Sequence, residues 1–447
     1  MMHRKRGLFA LLLALAMVIA ACGGDETADT TGEGGTDSGG LAAGDGSVDV
    51  FGAFSGIEAE AVNQVITDQI NGADGVEYTA EYEGSDSFEE QIKIRVEGGN
   101  APDIAIYPQP GSVVEQAADG NAIALEDLGY DIAELEGIFG DYLLSLGEYE
   151  GKHYGIPTNV NLKSTVWYNV KAFDAAGYTP PATWDELIAL SDQIVADGGT
   201  PWCIGLGSDA ATGWPATDWM EDIMLATAGT DAYDRWVTHE LPFASDEVKR
   251  AAEVFGEILF TDGYVLGGGN QTPSIDFRDA PDPMFSDPPG CYLHRQATFI
   301  TNFFDPAGLV AGEDFNFFPF PAIDQNGVLI AGELAAVFNA DTDVKDFLDR
   351  FISADVQCAQ GSIEGISRIS PNINVGSDCY RDALIGQAAD VITAGLGAGE
   401  ARFDASDLMP SAVGSGAFWT GMVDYAQNGP DALDGILADI DAAWPTS

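Results

Sequence analysis

Between Ser47 and Tyr107 the sequence switches between runs of period two and longer runs of period near 3.6, and this alternation limits the fold to a narrow class. Val48 to Phe54 is a short apolar strand ending at Ser55-Gly56. Ile57 to Gln69 is a predicted helix with Ala61, Val62, Val65 and Ile66 on one face, stopped by Asn71-Gly72. Val76 to Tyr82 alternates, with Val76, Tyr78, Ala80 and Tyr82 on one side and Glu77, Thr79 and Glu81 on the other. Ser87 is placed to cap a helix over Phe88 to Gly98, and Pro102 to Tyr107 is a third strand. Strand, helix, strand, helix, strand within about 60 residues is half of a doubly wound α/β sheet. Ligands of such sheets bind beyond the carboxyl ends of the strands, which makes Phe54-Ser55-Gly56 and Tyr107-Pro108-Gln109 candidates by position alone.

A second unit begins near Gly151. Lys163 to Asn169 and Ile204-Gly205-Leu206 are predicted strands, Thr183 caps a helix at Trp184 to Leu187, and Trp219 to Thr227 and Glu247 to Phe260 are helical by pattern. A strand is expected around Phe299. Phe315 to Pro321 and Val328 to Asn339 are strand-like, and the last third is mainly helical. Neither an internal repeat nor a second linker separates these units, as expected of two lobes that the chain crosses between several times.

The N-terminus has the pattern of an export signal: Arg4-Lys5-Arg6, then an apolar run from Gly7 to Ala21, too short to span a bilayer comfortably. It ends Ala20-Ala21-Cys22-Gly23, which resembles a bacterial lipobox with Cys22 as the lipidated residue; the alternative is an ordinary cleavage site beside an incidental cysteine. Gly23 to Gly46 is almost free of large apolar side chains and cannot bury enough surface to fold. As a flexible coil it would span roughly 25–30 Å, a tether between membrane and folded body.

With 18 Lys+Arg against 72 Asp+Glu the formal charge is −54, which repels phosphate backbones and anionic headgroups. Nucleic acid is thereby excluded as a partner, and a membrane would be reached through a lipid anchor only. A hydrophobic fraction of 46% excludes wholesale disorder. The acid excess also suits a surface bathed in high salt, where self-repulsion is screened. Of 5 Cys, Cys203, Cys291, Cys358 and Cys379 remain after Cys22. An even set in an exported chain suggests disulfides in one of three connectivities, Cys203–Cys291 with Cys358–Cys379 being favoured. Their spacing and the 4 His do not suit a metal site, and nothing calls for a cofactor.

Several motifs together resemble the family 1 extracellular solute-binding proteins of ABC importers. They are Gly99-Asn100-Ala101-Pro102-Asp103-Ile104, Gly151-Lys152-His153-Tyr154-Gly155-Ile156-Pro157, Trp167-Tyr168-Asn169, and Pro180-Pro181-Ala182-Thr183-Trp184-Asp185-Glu186-Leu187. Pro201 to Gly205, Ala211 to Trp219 and Asp287 to Gln296 resemble the α-glucoside-binding branch, and Leu408-Met409-Pro410 with Phe418-Trp419 resembles the family's tail, where a Trp stacks on a sugar ring. The resemblance runs from about Ser47 to Trp444. It implies an α/β, two-lobed periplasmic-binding-protein-like (type II) fold with interleaved lobes and a hinge. The expected division is 1–21 signal, 22–46 linker, 47–158 first lobe, 159–304 second lobe, 305–360 return to the first lobe, and 361–447 largely second lobe. It also implies a monomeric receptor outside the cytoplasm, on the outer face of the cell membrane or in a periplasm, that delivers sugar to an ABC permease.

A sugar offers apolar C–H faces and a rim of hydroxyls, so its site needs aromatic plates and planar polar groups. Trp419 is the leading plate by resemblance; Phe303, Phe304, Trp214 and Trp219 are further aromatic candidates. Asp218 is framed by Trp214 and Trp219, Glu333 interrupts an apolar strand, and Arg368 stands out among so few cations. Gln109, Asn159, Phe54 and Ser55 complete the candidates. The bland readings are core packing for each Trp and solvated surface for each acid; Trp184, Trp202, Trp236 and Trp444 are assigned to core or lobe surface. His294-Arg295-Gln296 is read as an internal structural contact. The rival functions are a receptor for another neutral solute such as a polyol, and a secreted glycoside hydrolase working through two carboxylates. No nucleophile-elbow, HExxH or phosphate-loop pattern supports an enzyme.

Overall fold

The computed structural model describes residues 41–304, 308–363 and 366–445. The signal segment, Cys22 and the expected tether as far as Gly40 lie outside the described residues; the end of that tether is corrected, since Leu41 packs on the core and the Gly44 and Gly46 N–H groups donate to Thr342 and Asp343.

Eleven strands are named in chain order: β1 Ser47–Gly52, β2 Thr79–Gly84, β3 Ile104–Tyr107, β4 Glu148–Tyr149, β5 Lys152–His153, β6 Ile156–Leu162, β7 Thr165–Asn169, β8 Leu293–Arg295, β9 Phe315–Pro319, β10 Val328–Val337 and β11 Ala401–Phe403. The larger sheet has the order β11-β10-β3-β1-β2, with β6 also paired to β10. β2, β1 and β3 are parallel, as the predicted βαβαβ alternation requires, and β10 returns antiparallel to both β3 and β6. The smaller sheet is β8-β7-β9, antiparallel throughout.

The chain passes from the larger sheet to the smaller one between Leu162 and Thr165, and from the smaller back to the larger between Pro319 and Val328. β9 thus belongs to the small sheet, so the return comes at β10 and not at residue 305. β11, from the C-terminal part, adds to the large sheet beside β10.

Each sheet packs on a core, and a further cluster joins Val160, Leu162 and Ile330 of the larger sheet to Trp167, Phe315 and Phe317 of the smaller. One core is built on Val48, Val50, Ile104, Ile106 and Val337 of the large sheet with Val62, Ile66 and Phe347 from covering helices. The other surrounds the Trp214–Ala228 helix, packing Trp219, Ile223 and Met224 against Trp202, Phe255 and Trp236. Both disulfides, Cys203–Cys291 and Cys358–Cys379, are formed as favoured from sequence.

Local chemistry explains most boundaries. Thr183 and Glu186 form a reciprocal capping box on the Trp184–Ala196 helix, satisfying two otherwise orphaned N–H groups. Four expectations need correction. Val76 belongs to a turn, its N–H bonded back to the Ala73 carbonyl, and β2 starts only at Thr79. Ser87 stands at the start of the Phe88–Glu97 helix, but its hydroxyl makes no capping bond. Ile204–Leu206 is buried without being a strand, because the backbone opposite it at Gly269–Ser274 is a 3₁₀ turn. Phe299 likewise sits in a 3₁₀ turn, Thr298–Asn302.

Candidate functional site

A cavity of about 930 Å³, counting its open mouth, lies between the large sheet and the elements of the smaller one. Its first wall is made where the parallel strands end: Ala53-Phe54 after β1, Ser85-Asp86 after β2 and Pro108-Gln109 after β3. The open βα turns at these ends leave room for a ligand. Glu58 and Glu89, in the first turns of the two following helices, face the same space. Trp214, Phe277, Arg278 and Phe299 form the opposite wall. The floor is Asn161, Lys163, Ala331 to Glu333, Asp404, Asp407 and Trp419.

Two glycines bring this floor together. A Cβ on Gly213, at φ +118°, would stand 2.4 Å from the Trp419 carbonyl oxygen, so only glycine lets the start of the Trp214–Ala228 helix approach Trp419. A Cβ on Gly332 would come 2.1 Å from the Asn159 carbonyl oxygen. Immediately afterwards the β6–β10 register shifts between Glu333 and Leu334. Such a bulge re-aims a side chain, and here the carboxylate of Glu333 joins the cavity lining.

The aromatic groups are held edge to face. Trp214 packs on Phe277 at 4.9 Å and 68°, and on Phe299 at 5.9 Å, with the Lys163 ammonium 5.2 Å from its ring. The indole N–H of Trp419 donates to Ser406 Oγ at 3.2 Å.

Beneath the floor is a buried charge network. Lys163 bonds Asp218 at 2.8 Å and also Asp404; Arg295 bonds Asp218 at 2.9 Å and also Asp222. Burial opposes the Lys163 charge, yet the surrounding carboxylates, Asp218 and Asp404 foremost, hold its pKa well above the ordinary value. Burial raises Asp218 to about 6 against the pull of Lys163 and Arg295. Burial also pushes Asp404 up, but the charge of Lys163 and hydrogen bonds from Lys163, Ser406 and the Asp407 N–H more than offset it, leaving its carboxyl below the usual range. Asp407 and Glu221 are driven well above theirs by burial and by the Asp404 charge. The carboxylates of Asp218, Glu221 and Asp404 lie within 4.8 Å of one another, and the Lys163 ammonium bonds two of them, supplying the local positive charge.

Contacts also cross the cavity mouth. Arg278 bonds Asp86 at 2.9 Å, and Asn302 donates to Glu58 at 3.0 Å, joining groups from opposite walls. Burial lifts Glu58 to about 7.

Phe54, Gln109, Trp214, Glu333 and Trp419 of the sequence candidates line the cavity. Arg368 stands beside it, its guanidinium 4.6 Å over the Phe54 ring. Ser55 donates to Asp86 at 2.6 Å and so steadies the rim. The others are corrected. Trp219 is buried in the second core, stacked on Phe255 at 5.4 Å, because its helix turns that face inward. Phe304 packs among Trp167, Phe285 and Phe315, and Phe303 lies behind Phe277 at 5.9 Å. Asp218 belongs to the network under the floor. Asn159 accepts from the Ile369 N–H at 3.2 Å, tying β6 to that segment; Asn161, two residues along the same strand, lines the cavity instead. Arg295 is a satisfied internal contact as read from sequence, except that it runs from strand β8 to the Trp214–Ala228 helix, where it is fully buried between Asp218 and Asp222.

Sequence reasoning missed Glu58, Asp86, Lys163, Phe277, Arg278 and Phe299. Scarcity was the available signal for Lys163 and Arg278, in a chain with 18 cations against 72 acids.

Two sheets, chain crossings between them, and a cavity at parallel strand ends define a two-lobed α/β binding protein of the type II periplasmic class. Solved structures agree on the fold: the bacterial solute receptor AcbH superposes with a TM-score of 0.74 at 18% identity, over 89% of this chain and 98% of that one. Maltose-bound MalE3 of T. maritima gives 0.67 at 13% identity, over 88% and 98%. Residues 55–357 match the bacterial extracellular solute-binding protein family, and the chain belongs to it. It is 41% identical over 409 residues to the alpha-glucosides-binding periplasmic protein AglE of Rhizobium meliloti, covering 88% of this chain and 86% of that protein. It is 38% identical over 404 residues to the osmoprotective compounds-binding protein GgtB of Synechocystis, covering 89% and 92%. No helix among the described residues is long and apolar enough to cross a membrane.

Proposed function

We propose that the chain is a receptor that binds a neutral sugar, an α-glucoside or related oligosaccharide, in this cavity and hands it to the membrane subunits of an ABC permease. The observation that carries the reading is the cavity itself. Trp214, Trp419, Phe54 and Phe299 supply apolar plates, while Glu333 and Gln109 place polar atoms among them. The 41% identity to an alpha-glucosides-binding protein supports the sugar class. A neutral osmoprotective solute, such as a polyol, is the second reading, favoured by the 38% identity to an osmoprotective compounds-binding protein and by an acid excess suited to salt.

The receptor acts as a monomer that binds without catalysis, held outside the cell membrane by lipid on Cys22 through the segment from Gly23 to Gly40. Closure of the two walls over the ligand shifts an open–closed equilibrium. The test is a thermal-shift and calorimetric screen of maltose, trehalose, sucrose and polyols with the purified protein. One-to-one saturable binding with no hydrolysis of the bound sugar is expected. Turnover of a glucoside, or the absence of binding across the panel, would overturn the reading.

A further inference from the structure

Three side chains in or beside the cavity carry hydrogen-bonding capacity unused among the described residues. Glu333 is 7% exposed and its Oε2 has no partner; Gln109 is 5% exposed and its Oε1 has none; Arg368 is 5% exposed, with Nε and Nη2 both unpartnered among the described residues. Glu333 and Gln109 line the cavity, and Arg368 lies over the ring of Phe54, which also lines it. Leaving one such buried group unpaired costs about 1–3 kcal/mol, and more for a charge. By contrast, the other charged groups of the cavity that bridge its walls or floor are engaged: Lys163 by Asp218 and Asp404, Arg278 by Asp86 and Asp276, Glu58 by Asn302.

We propose that Glu333, Gln109 and Arg368 form a specificity pole that reads a pair of adjacent hydroxyls on a neutral sugar ring and rejects ligands charged at that end. The inference rests on the receptor reading above and names the group that reading leaves open.

A hydroxyl is at once donor and acceptor. Two neighbouring hydroxyls satisfy the set together: their O–H groups donate to Glu333 Oε2 and Gln109 Oε1, and their oxygens accept from Arg368 Nε and Nη2. A carboxylate or phosphate bonds the guanidinium but faces the two orphan oxygens with no proton to give. An ammonium serves those oxygens and leaves Arg368 unmatched. The pole is also held in place: the bulge after Gly332 fixes Glu333, the Gln109 amide N–H donates to Glu89 at 3.3 Å, and the face of Phe54 orients the guanidinium. Because the polar atoms are already buried, a ligand that lacks either hydroxyl leaves them unpaired, which is how sites of this kind discriminate strongly.

The test uses titration calorimetry on the full chain with maltose, trehalose and sucrose, followed by the monodeoxy, uronic acid and amino derivatives of whichever binds. Glu333→Gln and Arg368→Gln should each weaken the neutral sugar about 10–100-fold at a melting temperature no lower than that of the wild type. At least one monodeoxy derivative should bind less well than its parent to the wild type, yet equal its parent on Glu333→Gln. Uronic acid and amino derivatives should fall below the neutral sugar on the wild type, a comparison that needs no variant. If either variant fails to fold, Gln109→Leu carries the same comparison. Wild-type affinity with both variants, or a uronic acid that binds as tightly as the parent sugar, would overturn the pole while leaving the receptor reading standing. Failure of the wild type to bind any sugar in the panel would overturn both.

Discussion

Lys163 is the most informative residue to remove, because it sits on the two-residue crossing between the sheets and supports the cavity floor. Its ammonium is buried against Asp218 and Asp404, whose side chains are 0% and 1% exposed. Lys163→Met keeps the apolar stem and deletes the charge, so the buried Asp404 loses its cation and Asp218 keeps only Arg295. Breaking a buried pair from one side costs about 3–5 kcal/mol. Unfolding entropy near about 2.1 cal/mol/K per residue, over roughly 400 described residues, gives about 0.8 kcal/mol/K, so the melting temperature should fall by about 4–6 °C at pH 7.5. The pH dependence follows from the sign. Without Lys163 the folded-state pKa values of Asp218 and Asp404 rise, and an acid whose pKa is raised on folding loses stability as pH climbs above its unfolded value. The deficit should therefore be larger at pH 7.5 than at pH 5. Asp404→Asn in the Lys163→Met background should recover part of it. Calorimetric scans of the three proteins at both pH values provide the assay. An unchanged melting temperature, or a deficit equal at the two pH values, would refute the claim that this ion network holds the floor.

Replacing Trp214 or Trp419 with Ala should weaken sugar binding by roughly 1–3 kcal/mol, whereas Trp219→Ala should cost about 3–5 kcal/mol of stability and leave affinity unchanged; titration and melting of the three variants separate these. Loss of the Cys358–Cys379 bridge, which spans 21 residues, should lower stability by about 3 kcal/mol in denaturant unfolding. Burial raises Glu58 to about 7, so the folded protein loses stability as pH rises from the ordinary carboxyl value of 4.5 through about 7; Glu58→Gln should flatten that limb of a melting-temperature profile. Going from dilute buffer to molar NaCl should raise the melting temperature, since 72 acids against 18 cations repel one another until screened; indifference to salt would remove the high-salt interpretation.

What was legible in the sequence was what local chemistry controls. The period-two and period-3.6 runs from Ser47 to Tyr107 place three parallel strands, and with them the loops carrying Phe54 and Gln109. Thr183 with Glu186 announces a helix start through a capping box that needs only four residues. Glu333 is conspicuous because a carboxylate inside an apolar strand must face something other than core. The illegible part depends on contacts across long stretches of chain. Arg278 meets Asp86 over 192 residues, and Lys163 meets Asp404 over 241. No local pattern encodes such pairings. Trp219 misled for a related reason: Trp214 and Asp218, four apart, share the helix face that meets Lys163 at the cavity floor, whereas Trp219, the next residue, points round the helix into the core. Asn159 and Asn161 share one strand face, and the tie to Ile369 decides which of them is left for the cavity.

The most direct measurement is a crystal structure of the protein soaked with the tightest-binding sugar of the panel. The sugar should lie between the Phe54 wall and the Trp214–Trp419 side, with adjacent hydroxyls within hydrogen-bond distance of Glu333 and Arg368. A sugar ordered elsewhere on the surface, with this cavity left without it at saturating concentration, would contradict the assignment.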